Sequence, residues 1–598
     1  MRFKSKTIDG FQIFGVTGIN TVSFGIQPSA SARKGLLGFA VERSDPAENE
    51  HFVMPGFKVF RSVAPQPTPH VQVSTWDHPV QSLVWDDFTG KPDRVYEYTF
   101  HPLRGQPKNL DRTAKTISIK VRTEKLYSTG EHDVFFNRGV ASSQAYERKF
   151  GNKPPDKQPT TTKQKAALQW LSRDLDDAIL KFIARPNAGD TLLCCFYEFR
   201  YQPVADALKV AITKGVNVRI LIDAKVNEST DKNGVFHPSF PREDNLQTIA
   251  AAGLPAGSII RREANPADIQ HNKFMVVLKG APQKPTEVWT GSTNISLGGI
   301  TGQTNVGHWV RNPNAAAEFK AYWDLLATDP GSERNDTAAQ ARTKKAACRA
   351  AVEALHAAPT TIAAIPQGVT TVFSPRSGLK VLDLYVQLVD SASKVACITL
   401  AFGVGKAFKN QLKDNTANSH IVFMLLEKKD KPASNATTPF VVINASNNVY
   451  KAWGAFIRNA VYQWAKETNA GLLKLNRHVS YVHSKFLLSD PLGDDPIVVT
   501  GSANFSEAST NGNDENMLLI RGSQRVADIY FTEFNRLFNH YYFRAVTEDL
   551  AAAGRAQDDA SLFLDETGKA WQKKYAPGKL RTKRVRLYTD MKGFTTVP

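Results

Sequence analysis

Two short stretches of the chain pair a histidine with a lysine two residues later. They are His271-Asn272-Lys273 and His483-Ser484-Lys485, and each lies in an apolar run typical of a strand. Side chains at positions i and i+2 of a strand point to the same face, so each stretch presents an imidazole beside an ammonium group. An imidazole can attack phosphorus or transfer a proton, and an ammonium group can stabilise phosphoryl oxygens. A single pair of this kind, however, is more often an ordinary surface strand.

A second polar motif follows each pair at almost the same distance. Gly291-Ser292-Thr293-Asn294 begins 20 positions after His271, and Gly501-Ser502-Ala503-Asn504 begins 18 positions after His483. The amide groups of Asn294 and Asn504 add hydrogen-bond donors for the same phosphoryl group. Two chance occurrences of the combined pattern are improbable, so the chain carries an internal duplication.

The duplicated pattern resembles the phospholipase D superfamily, with its two His-x-Lys-x4-Asp signatures. The resemblance covers residues 165 to 545 approximately, and it implies a pseudo-two-fold α/β core in which both motifs meet in one cleft. It also implies chemistry without a metal or cofactor. One histidine attacks phosphorus to give a phosphohistidine, and the other protonates the leaving oxygen and then activates water or an alcohol.

The Asp position of the signature differs between the halves. Asp490 fills it in the second half, whereas Leu278 occupies the matching place in the first. The resemblance implies that this Asp has a structural role, so its loss bears on local structure more than on catalysis.

A second difference concerns the partners of the two histidines. Residues 512–516 align with residues 302–306, which sets Glu515 against the neutral Gln303 and Asn305. In the family a carboxylate here typically bonds the histidine of its own motif. We therefore expect Glu515 to pair with His483, and Gln303 or Asn305 to pair with His271.

These partners predict a division of labour. A carboxylate favours imidazolium and an amide does not, so His483 is predicted to be the general acid and His271 the nucleophile. Family precedent agrees, although the reverse assignment stays open. The predicted catalytic residues are His271, Lys273, Asn294, His483, Lys485, Asn504 and Glu515, and the predicted substrate-binding residues are Ser292, Ser502, Gln303 and Asn305. No Cys-x2-Cys or Cys/His cluster suggests a metal site.

The elements that position these motifs repeat in each half. Residues 191–199 and 216–224 are apolar runs around a helical segment at 204–213, which predicts a parallel strand–helix–strand unit. The second half offers a helix at 381–391 and strands at 394–402 and 421–427. Residues 447–467 show the spacing of an amphipathic helix.

The remaining sequence is predicted to frame this α/β core. Short alternating runs in residues 1–150 resemble a fibronectin-type or immunoglobulin-like sandwich. The predicted organisation is an N-terminal β-sandwich-like accessory domain (1–150), a Pro-rich linker (151–164), a first half (165–332), a helical connector (333–365), a second half (366–550) and a basic C-terminal tail (551–598).

The composition indicates an anionic partner. The 598-residue chain has a net charge of +18, which favours a phospholipid or other phosphodiester substrate, an anionic membrane surface or nucleic acid. Both motifs lie in one chain, so a monomer is expected. No apolar leader and no apolar run near ~18 residues is visible, which predicts a cytoplasmic protein. A mature secreted form that has lost its signal would have the same sequence.

The sequence is compatible with three functions. The leading hypothesis is a metal-independent phospholipase D-type phosphodiesterase that cleaves phospholipid head groups by hydrolysis or transphosphatidylation. The alternative is a nuclease or other nucleic-acid phosphodiesterase. The net charge and the basic tail favour it, and so does the resemblance of the first motif, which lacks the Asp, to tyrosyl-DNA phosphodiesterases. A catalytically inactive binding protein is disfavoured because both histidines, both lysines and both asparagines are present.

Overall fold

The computed structural model describes residues 1–65, 72–139, 143–151, 153–416, 419–432, 440–454, 479–552 and 563–597. Within this part of the chain, every helix is too short or too polar to cross a bilayer.

The N-terminal region is built from antiparallel strands, as the alternating sequence pattern predicted. One sheet has the order β1-β2-β3-β8, a second has the order β10-β9-β4-β5 with β11 also on β9, and β6 pairs with β7. The strands are β1 (Arg2–Lys4), β2 (Phe11–Thr17), β3 (Val22–Pro28), β4 (Gly38–Asp45), β5 (Glu50–Val53), β6 (Pro55–Gly56), β7 (Val73–Ser74), β8 (Val84–Asp87), β9 (Val95–Gln106), β10 (Asn109–Asp111) and β11 (Ile117–Arg122).

The first motif lies in a mixed seven-stranded sheet of order β12-β20-β19-β18-β13-β14-β17, flanked by helices. Strand pairs β13–β14 and β14–β17 are parallel, as the strand–helix–strand pattern predicted. The elements are β12 (His132–Phe136), α1 (Gln144–Phe150), α2 (Thr161–Ser172), α3 (Leu175–Ile183), β13 (Thr191–Phe196), α4 (Gln202–Thr213), β14 (Asn217–Asp223), β15 (Ser229–Thr230), β16 (Phe236–His237), α5 (Arg242–Ala251), β17 (Ile259–Arg262), β18 (Lys273–Lys279), β19 (Lys284–Gly291), β20 (Val306–Val310), α6 (Pro313–Ala327) and α7 (Ala338–Leu355).

The second motif lies in another seven-stranded sheet, of order β21-β27-β26-β25-β22-β23-β24. Its parallel pairs, β22–β23 and β23–β24, occupy the same places as those of the first sheet. The elements are β21 (Gly368–Ser374), α8 (Lys380–Asp390), β22 (Val395–Leu400), α9 (Lys406–Leu412), β23 (Ile421–Leu426), β24 (Val449–Trp453), β25 (Phe486–Ser489), β26 (Ile497–Gly501), α10 (Glu507–Asn511), β27 (Glu515–Arg521), α11 (Gln524–Ala552), α12 (Lys569–Lys573) and α13 (Leu580–Thr589).

The matching strand orders confirm the predicted duplicated α/β core. Alternate residues of β18 and β25 fix how the two sheets pack, because successive side chains of a strand point to opposite faces. Phe274 and Val276 lie in one apolar cluster with Phe486 and Leu488, so one face of each sheet packs into a core that the two halves share. Leu487, between Phe486 and Leu488, lies instead in a cluster with residues of α8.

The C-terminal residues contribute to the core of the N-terminal sheets. Trp571, Tyr575 and Val585 are buried in the same apolar cluster as Phe24 and Tyr98. The basic side chains of this segment therefore belong to helices whose apolar residues close the N-terminal region.

The prediction of an amphipathic helix at 447–467 is wrong at its start. Val449–Trp453 is strand β24, which pairs in parallel with β23 at the edge of the second sheet. Short runs of β-branched and aromatic residues suit an edge strand as well as a helix turn, and pairing with β23 decides between them. Residues 455–478, the rest of the predicted helix, lie outside the described residues.

Candidate active site

Each histidine lies just before a central strand, where its main chain contacts the other half of the molecule. The backbone N–H of His271 donates to the carbonyl of Asp514 at 2.9 Å. Gln270 and Asp514 form a parallel bridge, and Thr304 and Val482 form its symmetric counterpart. The main chain around each histidine is thus hydrogen bonded to the opposite half, and this docking brings the two motifs together as predicted.

The two imidazole rings face one another across a cavity of about 470 Å³ that both halves line. The ring centroids of His271 and His483 are 6.4 Å apart and the ring planes are inclined by 73°. Both histidines are 5% exposed. This spacing leaves room for a tetrahedral phosphorus between the rings, with one imidazole on each side for an in-line displacement.

The hydrogen-bond partners of the histidines are exchanged relative to the prediction. His271 Nδ1 lies 2.9 Å from Glu515 Oε2, and His483 Nδ1 lies 2.9 Å from Asn305 Oδ1. The expectation that Glu515 pairs with His483 and that an amide of residues 303–305 pairs with His271 was therefore wrong. The error came from assuming that each partner serves its own motif, whereas the docking of the halves delivers Asn305 and Glu515 across the interface.

These bonds favour the same tautomer, with the proton on Nδ1, in both neutral rings. A carboxylate oxygen only accepts hydrogen bonds, so the Nδ1–H of a neutral His271 donates to Glu515 and leaves the lone pair on Nε2. The Nδ1–H of His483 donates to the Asn305 carbonyl oxygen in the same manner. Glu515 can also stabilise a positive charge that develops on the His271 ring, and the neutral Asn305 cannot do this for His483 to the same extent.

Burial controls the protonation of the site before substrate binds. It lowers the pKa of His271 and of His483 well below the ordinary histidine value, and the nearby lysine charges lower both further. Burial also raises the pKa of Glu515 to about 7, against the lowering influence of Lys273. Charged forms are therefore costly at these buried positions. An anionic phosphodiester would reduce this cost for every cation around it.

Both lysines of the motifs are almost completely buried. Lys273 and Lys485 are each 1% exposed, and the ammonium group of each donates to the backbone carbonyl of the histidine in its own motif, at 2.6 Å for Lys485. Burial lowers the pKa of Lys273 to about 7 and the pKa of Lys485 well below its ordinary value. An anion between the motifs would supply the negative charge that these ammonium groups need.

The two asparagines of the Gly-Ser-x-Asn motifs line the cavity with the histidines. Asn294 Nδ2 donates to Glu198 Oε1 at 2.9 Å, and Arg200 Nε donates to Glu198 Oε2 at 2.9 Å. Among the described residues, the buried Oδ1 atoms of Asn294 and Asn504 have no hydrogen-bond partner. Buried polar atoms are normally satisfied, so these oxygens indicate a place for ligand donors.

Of the four predicted substrate-binding residues, only Gln303 is among the residues that line the cavity. Gln303 lines the cavity and donates from Nε2 to the Val479 carbonyl at 3.0 Å. Ser292 and Ser502 are fully buried and do not line the cavity. The Ser292 hydroxyl donates to Asn305 Oδ1 at 2.9 Å, so it helps to hold the partner of His483.

Ser502 has an equivalent position in the second half. Its hydroxyl accepts the backbone N–H of Asn516 at 3.0 Å, next to Glu515 in the chain. Asp490 lies at the end of β25, where its carboxylate accepts the backbone N–H groups of Ser393 and Val395. These bonds fit the structural role that the resemblance implied for Asp490.

Several residues that line the cavity were missed in the sequence. Tyr197, Glu198 and Arg200 follow strand β13, and Phe402 follows the corresponding strand β22. The Tyr197 ring lies 5.0 Å from the His271 ring, centroid to centroid. The available signal was their place just after buried parallel strands, where ligands commonly bind in α/β proteins.

A family model described as the PLD-like domain of cardiolipin synthase matches this chain twice, at residues 181–326 and 385–538. The two matched segments contain the first and the second His-x-Lys motif respectively. No curated protein matches the chain.

Solved structures give more distant similarities. Polyphosphate kinase from Porphyromonas gingivalis is 10% identical with a TM-score of 0.35, over 59% of this chain and 46% of the kinase, so the chain spans less than half of that protein. Phosphatidylserine synthase from Haemophilus influenzae is 12% identical with a TM-score of 0.40, over 66% of this chain and 94% of the synthase. The phospholipase D family member Nuc from Salmonella typhimurium is 22% identical with a TM-score of 0.20, over 26% of this chain and 87% of Nuc. The family model covers half of the chain and both motifs, and the chain therefore belongs to the phospholipase D superfamily.

Proposed function

We propose that the chain is a metal-independent phosphodiesterase that works through a phosphohistidine at His271. The observation that carries this proposal is the pair of imidazoles 6.4 Å apart, each held through Nδ1 by a residue of the opposite half. Each Nε2 is then the ring nitrogen that is not held by Glu515 or Asn305, and it is the atom that we propose to react. The two buried lysines supply positive charge for the nonbridging phosphoryl oxygens.

In the first step, the Nε2 lone pair of His271 attacks phosphorus and the bond from phosphorus to the leaving oxygen breaks. The leaving oxygen takes a proton from Nε2 of the protonated His483, so the alcohol departs neutral. Glu515 stabilises the positive charge that the His271 ring acquires on attack. His271 is thus the nucleophile, as the sequence predicted, but for a different reason: its partner is the carboxylate of Glu515 and not an amide.

In the second step, water or an alcohol enters from the side that the leaving group vacated. His483 Nε2, now neutral, removes its proton as the new oxygen–phosphorus bond forms and the phosphorus–nitrogen bond of His271 breaks. Water gives a phosphomonoester, and an alcohol gives a new diester. His483 regains the proton that it lost, so the cycle is balanced.

For the substrate we propose a phospholipid, cleaved at its head group by hydrolysis or transphosphatidylation. The matching family model is described as a cardiolipin synthase domain, which supports a lipid diester. The net charge of +18 supports the alternative of a nucleic-acid diester. The two proposals share one mechanism and differ in what binds on either side of the phosphate.

One parallel assay tests the proposal. The full-length protein is incubated with EDTA and phosphatidylcholine vesicles, single-stranded DNA or bis-p-nitrophenyl phosphate. We expect cleavage of the activated diester and of the lipid, and no cleavage of DNA. The matched control is His237→Ala, which changes a half-exposed histidine on strand β16, outside the residues that line the cavity, and should retain activity.

The same assay separates the ways in which the proposal can fail. No reaction with any substrate, or equal activity in His271→Ala and the wild type, would contradict the phosphohistidine mechanism. Cleavage of DNA without cleavage of lipid would leave the mechanism and replace the substrate.

A further inference from the structure

The two walls of the cavity carry different side chains at symmetric positions. In the first sheet, Phe196 of β13 pairs with Lys273 of β18. The register of β22 on β25 runs from Ala396 opposite Ser489 to Ile398 opposite Leu487, and its continuation sets Leu400 against Lys485. Two residues beyond Phe196 is Glu198, and two residues beyond Leu400 is Phe402. Both line the cavity, so one wall presents a carboxylate where the other presents an aromatic ring.

The first wall is polar, and its hydrogen bonds are fixed. Glu198 is 7% exposed and accepts from both Asn294 and Arg200. Because a carboxylate cannot donate, Asn294 must turn Nδ2 toward Glu198, and its buried Oδ1 is left as an acceptor with no partner among the described residues. A substituent with a hydroxyl or ammonium group would satisfy that oxygen.

The opposite wall is apolar at the corresponding point. The Phe402 side chain is 73% exposed although it lines a cavity. Large apolar side chains are normally buried, and an exposed ring beside buried catalytic groups offers contact area to a bound molecule. Val479 lines the same cavity and adds apolar surface.

The charges of the walls argue against a substrate with several phosphates. A nucleic-acid strand brings further phosphates on both sides of the reacting one, and these require additional Lys or Arg contacts. Among the described residues that line the cavity, Arg200 is the one Lys or Arg, and its Nε already donates to Glu198 at 2.9 Å. A diester with a single phosphate fits these walls better.

We infer that the cleft sorts the two substituents of its diester by polarity. A substituent bearing a hydroxyl or ammonium group lies along Glu198, Arg200 and Asn294, and an apolar substituent lies along Phe402. This inference rests on the proposed phosphodiesterase function and deepens it, because it makes Glu198 and Phe402 the residues that determine which substituent of the diester lies on which wall.

Binding of simple diesters tests the inference without depending on turnover. The probes are octyl methyl phosphate and dimethyl phosphate, titrated calorimetrically into full-length His271→Ala protein, which cannot form the phosphohistidine. We expect the octyl diester to bind more tightly, and we expect Phe402→Ala to weaken its binding by about tenfold, as loss of a partly buried aromatic contact does. Phe402→Leu, which keeps an apolar contact, should retain most of the preference.

The matched control is Phe236→Ala in the same background. Phe236 is 62% exposed on strand β16 and does not line the cavity, so its removal should leave both affinities unchanged. A second pair of probes, octyl 2-aminoethyl phosphate and octyl ethyl phosphate, tests the polar wall. Glu198→Gln should reduce the preference for the aminoethyl ester by about tenfold, because the cation loses its charged partner.

Three results would overturn the inference. The first is equal affinity for octyl methyl and dimethyl phosphate, and the second is a preference that survives Phe402→Ala. The third is tighter binding of the dinucleotide thymidylyl-thymidine than of the octyl diester, together with loss of the dinucleotide's binding in Phe402→Ala. That result would mean that the Phe402 ring contacts a nucleobase and not an alkyl chain. Failure of the proposed function is seen separately, as absence of bis-p-nitrophenyl phosphate cleavage by the wild type.

Discussion

Replacing Glu515 with Gln should slow formation of the phosphohistidine while leaving the shape of the site intact. Gln has nearly the same size and can still accept the hydrogen bond of His271 Nδ1, so the variant removes the charge and little else. In the wild type, Glu515 Oε2 lies 2.9 Å from that nitrogen. The ring becomes cationic as it attacks phosphorus, so the carboxylate stabilises the transition state more than the free enzyme.

Two estimates bound the size of this effect. Opposite unit charges about 4 Å apart attract by about 4 kcal/mol at an effective dielectric constant of about 20, which is the upper limit. A hydrogen bond to a charged group is stronger than a hydrogen bond between neutral groups by about 1–2 kcal/mol, which is the lower estimate. The desolvation that raises the pKa of Glu515 to about 7 offsets part of the attraction, so the lower estimate is the better guide. We therefore expect the rate of phosphohistidine formation to fall by about 5- to 30-fold.

The assay is rapid quench with bis-p-nitrophenyl phosphate. The burst of p-nitrophenolate gives the rate of the first step, and mass spectrometry of the quenched protein locates the acid-labile phosphate. The matched control is Asn305→Ala, the equivalent position in the other half. It removes the partner of His483 and should leave this burst largely unchanged, because p-nitrophenolate departs without a proton. A wild-type burst rate in Glu515→Gln, or a phosphate that maps to His483, would refute the assignment.

Four further outcomes are expected. Activity should survive EDTA, because imidazole, ammonium and amide groups supply every role. Loss of activity in EDTA that Mg²⁺ or Zn²⁺ restores would contradict the mechanism. His483→Ala should slow departure of an alkoxide by about 10²- to 10⁴-fold, spare p-nitrophenolate and let the phosphohistidine accumulate; equal losses with both leaving groups would argue that His483 is not the acid. With bis-p-nitrophenyl phosphate, whose leaving group needs no proton from His483, the pH profile of kcat/KM should be bell-shaped around pH 7, rising as Glu515 ionises and falling as Lys273, whose pKa burial lowers to about 7, loses its charge. In Lys273→Arg the guanidinium stays charged, so the falling limb should move to higher pH, and an unmoved limb would contradict this assignment. Finally, residues 366–598 alone should be inactive, since they lack His271 and Asn305, and activity of that fragment as a monomer would disprove the shared site.

The residues that meet in the cavity could be predicted from the sequence because their motifs depend on local spacing. The His-x-Lys pairs and the motifs with Asn294 and Asn504 follow from neighbours in the chain, and the structure brings His271 and His483 together in one cavity. The duplicated sheets were also predictable, since apolar runs and helical spacing repeat in the same order. These features need no knowledge of how the halves dock.

The features that the sequence could not supply depend on docking. Glu515 reaches His271 because Asp514 pairs with the main chain of the opposite half, and no periodicity records that contact. Glu198 was hidden because it lies within an apolar run that continues past the end of β13. The short pattern of Val449–Trp453 fits a helix as well as a strand, and pairing with β23 outweighs the local signal.

The burial of Trp571, Tyr575 and Val585 beside Phe24 and Tyr98 has a consequence for the order of folding. The first β-sheets leave the ribosome early, but their core is incomplete until residues more than four hundred positions later have been made. At a synthesis rate of about 5–20 residues per second, this interval lasts on the order of a minute. During it, apolar surface on the nascent sheets stays uncovered, and such surface attracts chaperones. We therefore expect the N-terminal region to reach its stable form after the two halves that carry the His-x-Lys motifs, even though it is synthesised before them.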